Sequence, residues 1–222
     1  MTNPTSVSRQ VSPPQFARRM LAVEGAAIEV AVAGVGDPLL YVCTDDARED
    51  RLAGLLAAQF MLVAVPAEGS DGARLPALQQ ARHLAAIAQG LGFEAWDLCL
   101  RGSGTCAALY LAADRAAGLR RVVLLAPEIF TAGGELREPA PGDRLDDPGV
   151  DMLALFGTDA GGDAREEASC YRERLARCHL TFVYDAPDPA RDRPEAAASV
   201  IADFLKRGEG FLVNNGDGAL YP

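Results

Sequence analysis

Hydrophobic residues along this chain form short unbroken runs that alternate with longer stretches of helical periodicity. The unbroken runs predict buried strands over residues 39–42, 61–65, 96–101, 121–125, 152–156 and 180–184. Between them, apolar residues recur every three or four positions, which predicts helices over residues 47–59, 76–90, 105–117, 164–177 and 195–205. Near the start, residues 18–23 and 28–33 flank Glu24-Gly25 and predict a β-hairpin.

This alternation predicts an α/β fold with a mostly parallel central sheet and helices on both faces. Right-handed crossovers bring the loops that follow the strands to one edge, the carboxyl edge, where such sheets keep their sites. We expect one domain over residues 16–207, after a polar arm over residues 1–15. Residues 208–222 form a Gly/Asn-rich tail that carries the apolar segment 211–213. Gly118 is expected to end the helix over residues 105–117.

Composition and charge exclude several classes of function. The 222-residue chain is 49% apolar and carries a formal net charge of −10, which would repel a phosphate backbone. No basic stripe is present, and no apolar run approaches the roughly 20 residues that span a bilayer. The polar N-terminus lacks the apolar core of a signal peptide. We therefore expect a cytoplasmic protein that binds neither nucleic acid nor membrane and uses no cofactor.

The five cysteines are odd in number and match no zinc-binding spacing, so we expect neither a disulfide framework nor a metal site. Most of them are predicted to be reduced and buried. They are Cys43, Cys99, Cys106, Cys170 and Cys178.

The segment over residues 96–117 carries the strongest motif, an apolar strand that ends in Gly-Ser-Gly and is followed at once by a helical run. It resembles the nucleophile elbow of the α/β-hydrolases, whose narrow turn requires small residues on both sides of the nucleophile. The element order extends this resemblance over roughly residues 16–207. It implies the α/β-hydrolase fold.

Two registers of the elbow are open. If Gly104 occupies the nucleophile position, its flanks are the small residues Gly102 and Cys106, and the helix begins at the expected place. If Ser103 is the nucleophile, Arg101 and Thr105 become the flanks, and the arginine would crowd the turn. The small flanks favour the first register, in which a glycine without a reactive group replaces the nucleophile.

The resemblance also implies an oxyanion segment and a catalytic acid. The oxyanion segment corresponds to Cys43-Thr44-Asp45, where an acidic residue would repel the developing negative charge. The acid position corresponds to Asp159, after the strand over residues 152–156. Without a histidine to orient, Asp159 is also expected as a solvated loop acid or a helix cap.

The catalytic histidine is missing from its expected place. The resemblance puts it at Pro187 or Asp188, and residues 180–222 contain no histidine. The chain has only His83, in a predicted helix, and His179, at the start of a predicted strand. A serine nucleophile needs a base within hydrogen-bond reach, so the triad is predicted to be absent.

The family's cap domain has no counterpart here. About 25 residues connect the strands over residues 121–125 and 152–156, and they are rich in Gly, Pro and Asp. We expect a loop there, and an open, shallow surface above the elbow.

Three further interpretations concern the carboxyl edge. Asp45, Asp46, Asp159 and Asp188 could together hold a hard cation, although a solvated acidic rim is the preferred interpretation. Cys43 or Cys106 could be a reactive thiolate if a cation lay beside it, and a buried apolar role is preferred for both.

Arg101 could instead bind an anion beside the start of the following helix. The predicted ligand-binding residues are Arg101, Ser103, Thr105, Thr44 and Asp45, for a small acyl or anionic ligand. The alternative for Arg101 is an ion pair with Asp97 or another local acid.

Three functional hypotheses follow. The first is a non-catalytic α/β-hydrolase-fold protein that acts as a binding or accessory subunit. The alternative is a divergent esterase- or thioesterase-like serine hydrolase that uses Ser103 with a non-standard base. The third is association with a protein partner or a second copy through the uncapped face or residues 211–213.

Overall fold

The computed structural model describes residues 14–23, 25–43, 46–67, 75–131, 133–138, 149–158, 164–175, 177–208 and 210. The predicted α/β class is confirmed by a single eight-stranded sheet. The strands are β1 (Ala17–Val23), β2 (Ala26–Ala33), β3 (Pro38–Cys43), β4 (Met61–Pro66), β5 (Trp96–Arg101), β6 (Leu119–Leu125), β7 (Asp151–Gly157) and β8 (Cys178–Val183). The helices are α1 (Arg51–Ala57), α2 (Ala77–Gly90), α3 (Ala107–Ala113), α4 (Ala164–Arg174), α5 (Pro189–Asp192) and α6 (Pro194–Arg207).

The strand order is β1-β2-β4-β3-β5-β6-β7-β8. The hairpin of β1 and β2 joins the sheet antiparallel to β4, and β3 to β8 are all parallel. The inner parallel strands β3 to β7 contain buried apolar runs because helices cover both faces of the sheet. One core contains side chains from α2, α3 and α4, and the other contains side chains from α1, α5 and α6.

The end of α3 differs from the prediction. The helix stops at Ala113, and Arg115 takes the left-handed conformation (φ 48°) that closes it. The Arg115 N–H donates to Ala112 O and the Ala116 N–H donates to Leu111 O, which is the Schellman pattern. Gly118, predicted as the cap, is needed for a different reason: a β-carbon there would overlap the backbone of Glu94.

The connection between β6 and β7 is more ordered than the predicted loop in its described part. Phe130 and Leu136 form an isolated antiparallel bridge, and Phe130 is fully buried. Glu138 then reaches the start of α2, where its Oε2 accepts from the Ala77 N–H at 3.3 Å. In this connection the described residues, 126–131, 133–138 and 149–150, contain no helix, and the absence of a cap domain stays a prediction.

Two further expectations concern membrane-spanning helices and the two ends of the chain. Among the residues that the structure describes, no helix is long and apolar enough to cross a bilayer. Most of the predicted arm and tail, residues 1–13 and 211–222, lies outside the described residues.

Candidate functional site

The elbow turns at Gly102, two residues before the predicted position. β5 ends at Arg101, Gly102 takes a left-handed conformation (φ 54°), and a 3₁₀ helix over Gly102–Cys106 leads into α3. A left-handed residue at the strand end is the sharp turn on which such a fold exposes its nucleophile. Gly104 lies buried within the 3₁₀ helix, where a β-carbon would lie 3.4 Å from Gln80 Oε1 of α2.

Hydrogen bonds of the Thr105 side chain link the elbow to the loop that follows β6. Its side chain is buried, and its hydroxyl donates to Gly102 O at 2.6 Å. The same oxygen accepts from the Glu128 N–H at 3.1 Å. Because this hydroxyl is used twice within the protein, the position predicted to bind a ligand holds the turn together.

Arg101, the last residue of β5, forms an ion pair with Asp188 in the loop after β8. The side chains of Arg101 and Asp188 are 13% and 31% exposed. Asp188 also caps α5, since its Oδ1 accepts from the Ala190 N–H at 3.2 Å. Asp97, the partner suggested from sequence, is instead buried against Arg120 with an Nη2–Oδ2 distance of 2.6 Å.

Tyr41 and Asp50 form a second polar contact on this side of the sheet, at the start of α1. The Tyr41 hydroxyl donates to Asp50 Oδ2 at 2.7 Å, and Asp50 Oδ1 caps α1 by accepting from the Ala53 N–H. Burial and the neighbouring Asp50 raise the pKa of Tyr41. Burial would lower the pKa of Arg101, but attraction to Asp188, Tyr41 and Asp50 raises it. Arg101 is therefore a fixed cation that joins the elbow to the loop after β8.

A carboxylate faces the tip of the elbow. A β-carbon on Gly102 would lie 3.6 Å from Glu128 Oε1, in the space that a nucleophile would use. Near Glu128, Glu167 of α4 has a buried Oε1 that finds no hydrogen-bond partner among the residues the structure describes. Burial raises the pKa of Glu167, Arg137 opposes this rise, and Glu128 adds to it. The surroundings of the tip are thus acidic.

The thiols near the elbow are buried. Cys43 and Cys106 are buried, and their Sγ atoms lie 3.6 Å from Val65 O and 3.8 Å from Glu128 O. Cys99 lies below the elbow in β5, where burial raises the pKa of its thiol. The predicted burial of these cysteines is confirmed.

Both histidines of the chain lie away from the carboxyl edge. His179 is the second residue of β8, at the opposite end of the sheet, and its ring contacts Phe204 at a centroid distance of 6.2 Å. His83 lies in the middle of α2, half-buried.

The two described members of the acidic rim already have cationic partners. Asp46 is held by Arg48 at 2.5 Å and lies 3.9 Å from Arg18, whereas Asp188 is held by Arg101. Hydrogen bonds from Arg48 lower the pKa of Asp46. Asp46, Arg48, Arg18 and Cys43 line a cavity of about 320 Å³ beside β4.

Several predicted site residues are not described. Thr44, Asp45 and Asp159 lie outside the described residues, so the oxyanion and acid predictions stay predictions. Within the described part of the chain, no group of three or more His, Cys, Asp or Glu side chains could hold a metal ion.

The sequence analysis missed three residues at this edge. Glu128 is the third residue after β6, and its position close to a strand end was a usable signal. Tyr41 and Asp50 gave no such signal, because Tyr41 belongs to an apolar run and Asp50 to a charged turn. Ser103 follows the tip and is half-buried.

No protein-family model matches the chain, and no curated protein matches it. Many solved structures match the chain in fold. An epoxide hydrolase (CorEH) is 14% identical over 86% of this chain and 99% of that chain, with a TM-score of 0.68. A serine hydrolase involved in carbazole degradation (the CarC enzyme) is 12% identical over 86% and 99%, with a TM-score of 0.67. The carboxylesterase CesB from Bacillus subtilis is 13% identical over 86% and 92%, with a TM-score of 0.65.

At these identities the similarity establishes the fold alone. The chain has the α/β-hydrolase fold, as the element order and the elbow predicted.

Proposed function

We propose that this chain is a non-catalytic α/β-hydrolase-fold protein of the cytoplasm that acts as a binding or accessory subunit. The observation that carries the proposal is the ion pair of Arg101 and Asp188. It occupies the space between the elbow and the loop after β8, where a hydrolase of this fold would place its base.

The elbow itself supports the same proposal. Gly102 has the backbone conformation expected of the nucleophile position, and it carries no side chain. Covalent hydrolysis on this fold needs an activated nucleophile together with a base that accepts its proton. Gly102 supplies no nucleophile, and Asp188 already accepts from a permanent cation that is charged at every physiological pH.

Electrostatics near the tip also oppose acyl transfer. The carboxylate of Glu128 lies beside Gly102, and that of Glu167 lies near Glu128. An anionic tetrahedral intermediate is stabilised by hydrogen-bond donors, whereas neighbouring carboxylates would raise its energy. An anionic ligand would face the same repulsion, and we propose a neutral or cationic group for any ligand bound at the tip.

A fluorophosphonate probe tests the proposal directly. We expect no labelling of the purified full chain, and no turnover of short p-nitrophenyl acyl esters above the rate without protein. An active serine esterase serves as the positive control, and Ser169→Ala as the matched serine substitution. Labelling that maps to Ser103 and disappears in Ser103→Ala would contradict the proposal.

One observation favours a second candidate function, that of a divergent serine hydrolase. Ser103 adjoins the tip, and Glu128 is an exposed carboxylate beside it that could act as the non-standard base. This candidate requires turnover that both Ser103→Ala and Glu128→Gln abolish. Turnover that survives either substitution, or no turnover at all, rejects it.

A further inference from the structure

The cavity of about 320 Å³ beside β4 has a floor of small side chains. Ala31 of β2 and Ala64 of β4 are directly paired across the two strands, and both line the cavity. Their side chains lie on the face of the sheet that α1 and α6 cover. Because alanine is short, the sheet surface lies low here and leaves a space above it. The volume falls within the range of about 300–1,000 Å³ that small-molecule sites have.

Four charged side chains line the same cavity, and their signs alternate. Arg18 Nη1 lies 2.9 Å from Glu29 Oε1, and Arg18 Nη2 lies 3.9 Å from Asp46 Oδ2. Arg48 holds the other side of Asp46, with an Nη2–Oδ2 distance of 2.5 Å. Hydrogen bonds from Arg48 lower the pKa of Asp46, which is therefore ionised at neutral pH. Two positive and two negative charges thus surround one cavity, and their sum is zero.

This charge pattern selects a ligand that carries both signs. A simple anion would meet two carboxylates on a chain with a formal net charge of −10, and a simple cation would meet two guanidinium groups. The existing ion pairs open at little cost, because the side chains of Arg18, Glu29 and Asp46 are 55%, 49% and 39% exposed. Exposed ion pairs contribute little to stability, since water solvates both partners.

We propose that this cavity binds an apolar α-amino acid. The carboxylate of the ligand pairs with Arg18, its ammonium group pairs with Glu29 and Asp46, and its side chain lies on the alanine floor. Arg18 Nη2 can accommodate the ligand carboxylate because its distance of 3.9 Å from Asp46 is longer than a hydrogen bond. The lining comes from the hairpin, β4 and the turn after β3, whereas the elbow follows β5, so the site does not depend on whether the elbow is catalytic.

Calorimetric titration of the full chain with L-leucine tests the charge pattern. Isocaproate lacks only the ammonium group of leucine, and isoamylamine lacks only its carboxylate, so the two analogues are matched probes. We expect L-leucine to bind about tenfold or more tightly than either analogue, because hydrogen bonds between charged groups are the strong ones. Absence of L-leucine binding, or equal binding of either analogue, overturns the proposal.

Substitutions test whether the ligand occupies this cavity. Arg18→Met should weaken L-leucine binding about tenfold or more, whereas Arg19→Met, the neighbour on the opposite face of β1, should leave it unchanged. Ala31→Leu fills the floor and should abolish binding, whereas Ala27→Leu, exposed on the same strand and outside the lining, should not. Circular dichroism verifies that each variant is folded. Binding that survives either Arg18→Met or Ala31→Leu refutes the assignment to this cavity.

Discussion

The partly buried ion pair of Arg101 and Asp188 is expected to stabilise the folded state, and substitution of Arg101 tests this expectation. Arg101→Met keeps much of the apolar stem and removes the guanidinium that joins the elbow to the loop after β8. It leaves the carboxylate of Asp188 without its cation, and removes the attraction that Arg101 exerts on Asp50. We expect the folded state to lose stability.

The expected loss is about 2 kcal/mol. Removing one partner of a fully buried pair costs about 3–5 kcal/mol, whereas an exposed pair contributes about 0–1 kcal/mol. Arg101 is 13% exposed and Asp188 is 31% exposed, so water can compensate part of the charge left on Asp188. For a domain of this size, about 2 kcal/mol corresponds to a fall in Tm of about 4–8 °C.

Urea denaturation followed by circular dichroism measures the free energy of unfolding for Arg101→Met, Asp188→Asn and the double variant. We expect a coupling energy of about 1–2 kcal/mol between the two sites. The exposed pair of Arg51 and Glu195 provides the control, because its side chains are 71% and 56% exposed. Arg51→Met should leave the free energy of unfolding almost unchanged, because water screens this exposed pair. If Arg101→Met costs no more than Arg51→Met, the burial argument is wrong.

Three further substitutions test other contacts. Thr105→Val removes the hydroxyl between the elbow and the Glu128 N–H, and should cost about 1–3 kcal/mol in urea denaturation. Glu167→Gln should stabilise the fold at pH 7, because burial raises the pKa of this carboxyl and its ionised form therefore opposes folding. This gain in the free energy of unfolding should shrink as the pH falls, because the wild-type carboxyl is then protonated. Gly118→Ala should lower Tm, since its β-carbon would overlap Glu94 at a φ of 78°.

Each of these has its own control. Thr105→Ser keeps the hydroxyl and should retain most of the stability, so equal losses for Ser and Val would contradict the hydrogen-bond explanation. A pH-independent effect of Glu167→Gln would show that its charge is not the cause. Gly90→Ala, at the last residue of α2 with open space around the β-carbon, should not lower Tm.

Much of the fold was predictable because strands and helices leave local patterns. Every predicted strand and helix is present, and the inner strands β3 to β7 carry the apolar runs of a sheet buried on both faces, whereas the edge strand β8 is only partly buried. The end of α3 was misplaced because Arg115 takes a conformation that favours glycine, while Gly118 is required by a contact with a distant segment. α5 was missed because its four residues carry no periodicity.

The sequence by itself determined the α/β order, the elbow between β5 and α3, and the scarcity of histidine. These depend on runs, spacing and counts along one chain. Only the tertiary structure decided that Gly102 is the tip, that Arg101 pairs with Asp188, and that Glu128 faces the elbow. The backbone angle at a turn and the partner of a charge depend on packing between segments far apart in sequence. Arg101 and Asp188 are 87 residues apart, and no local pattern encodes that contact.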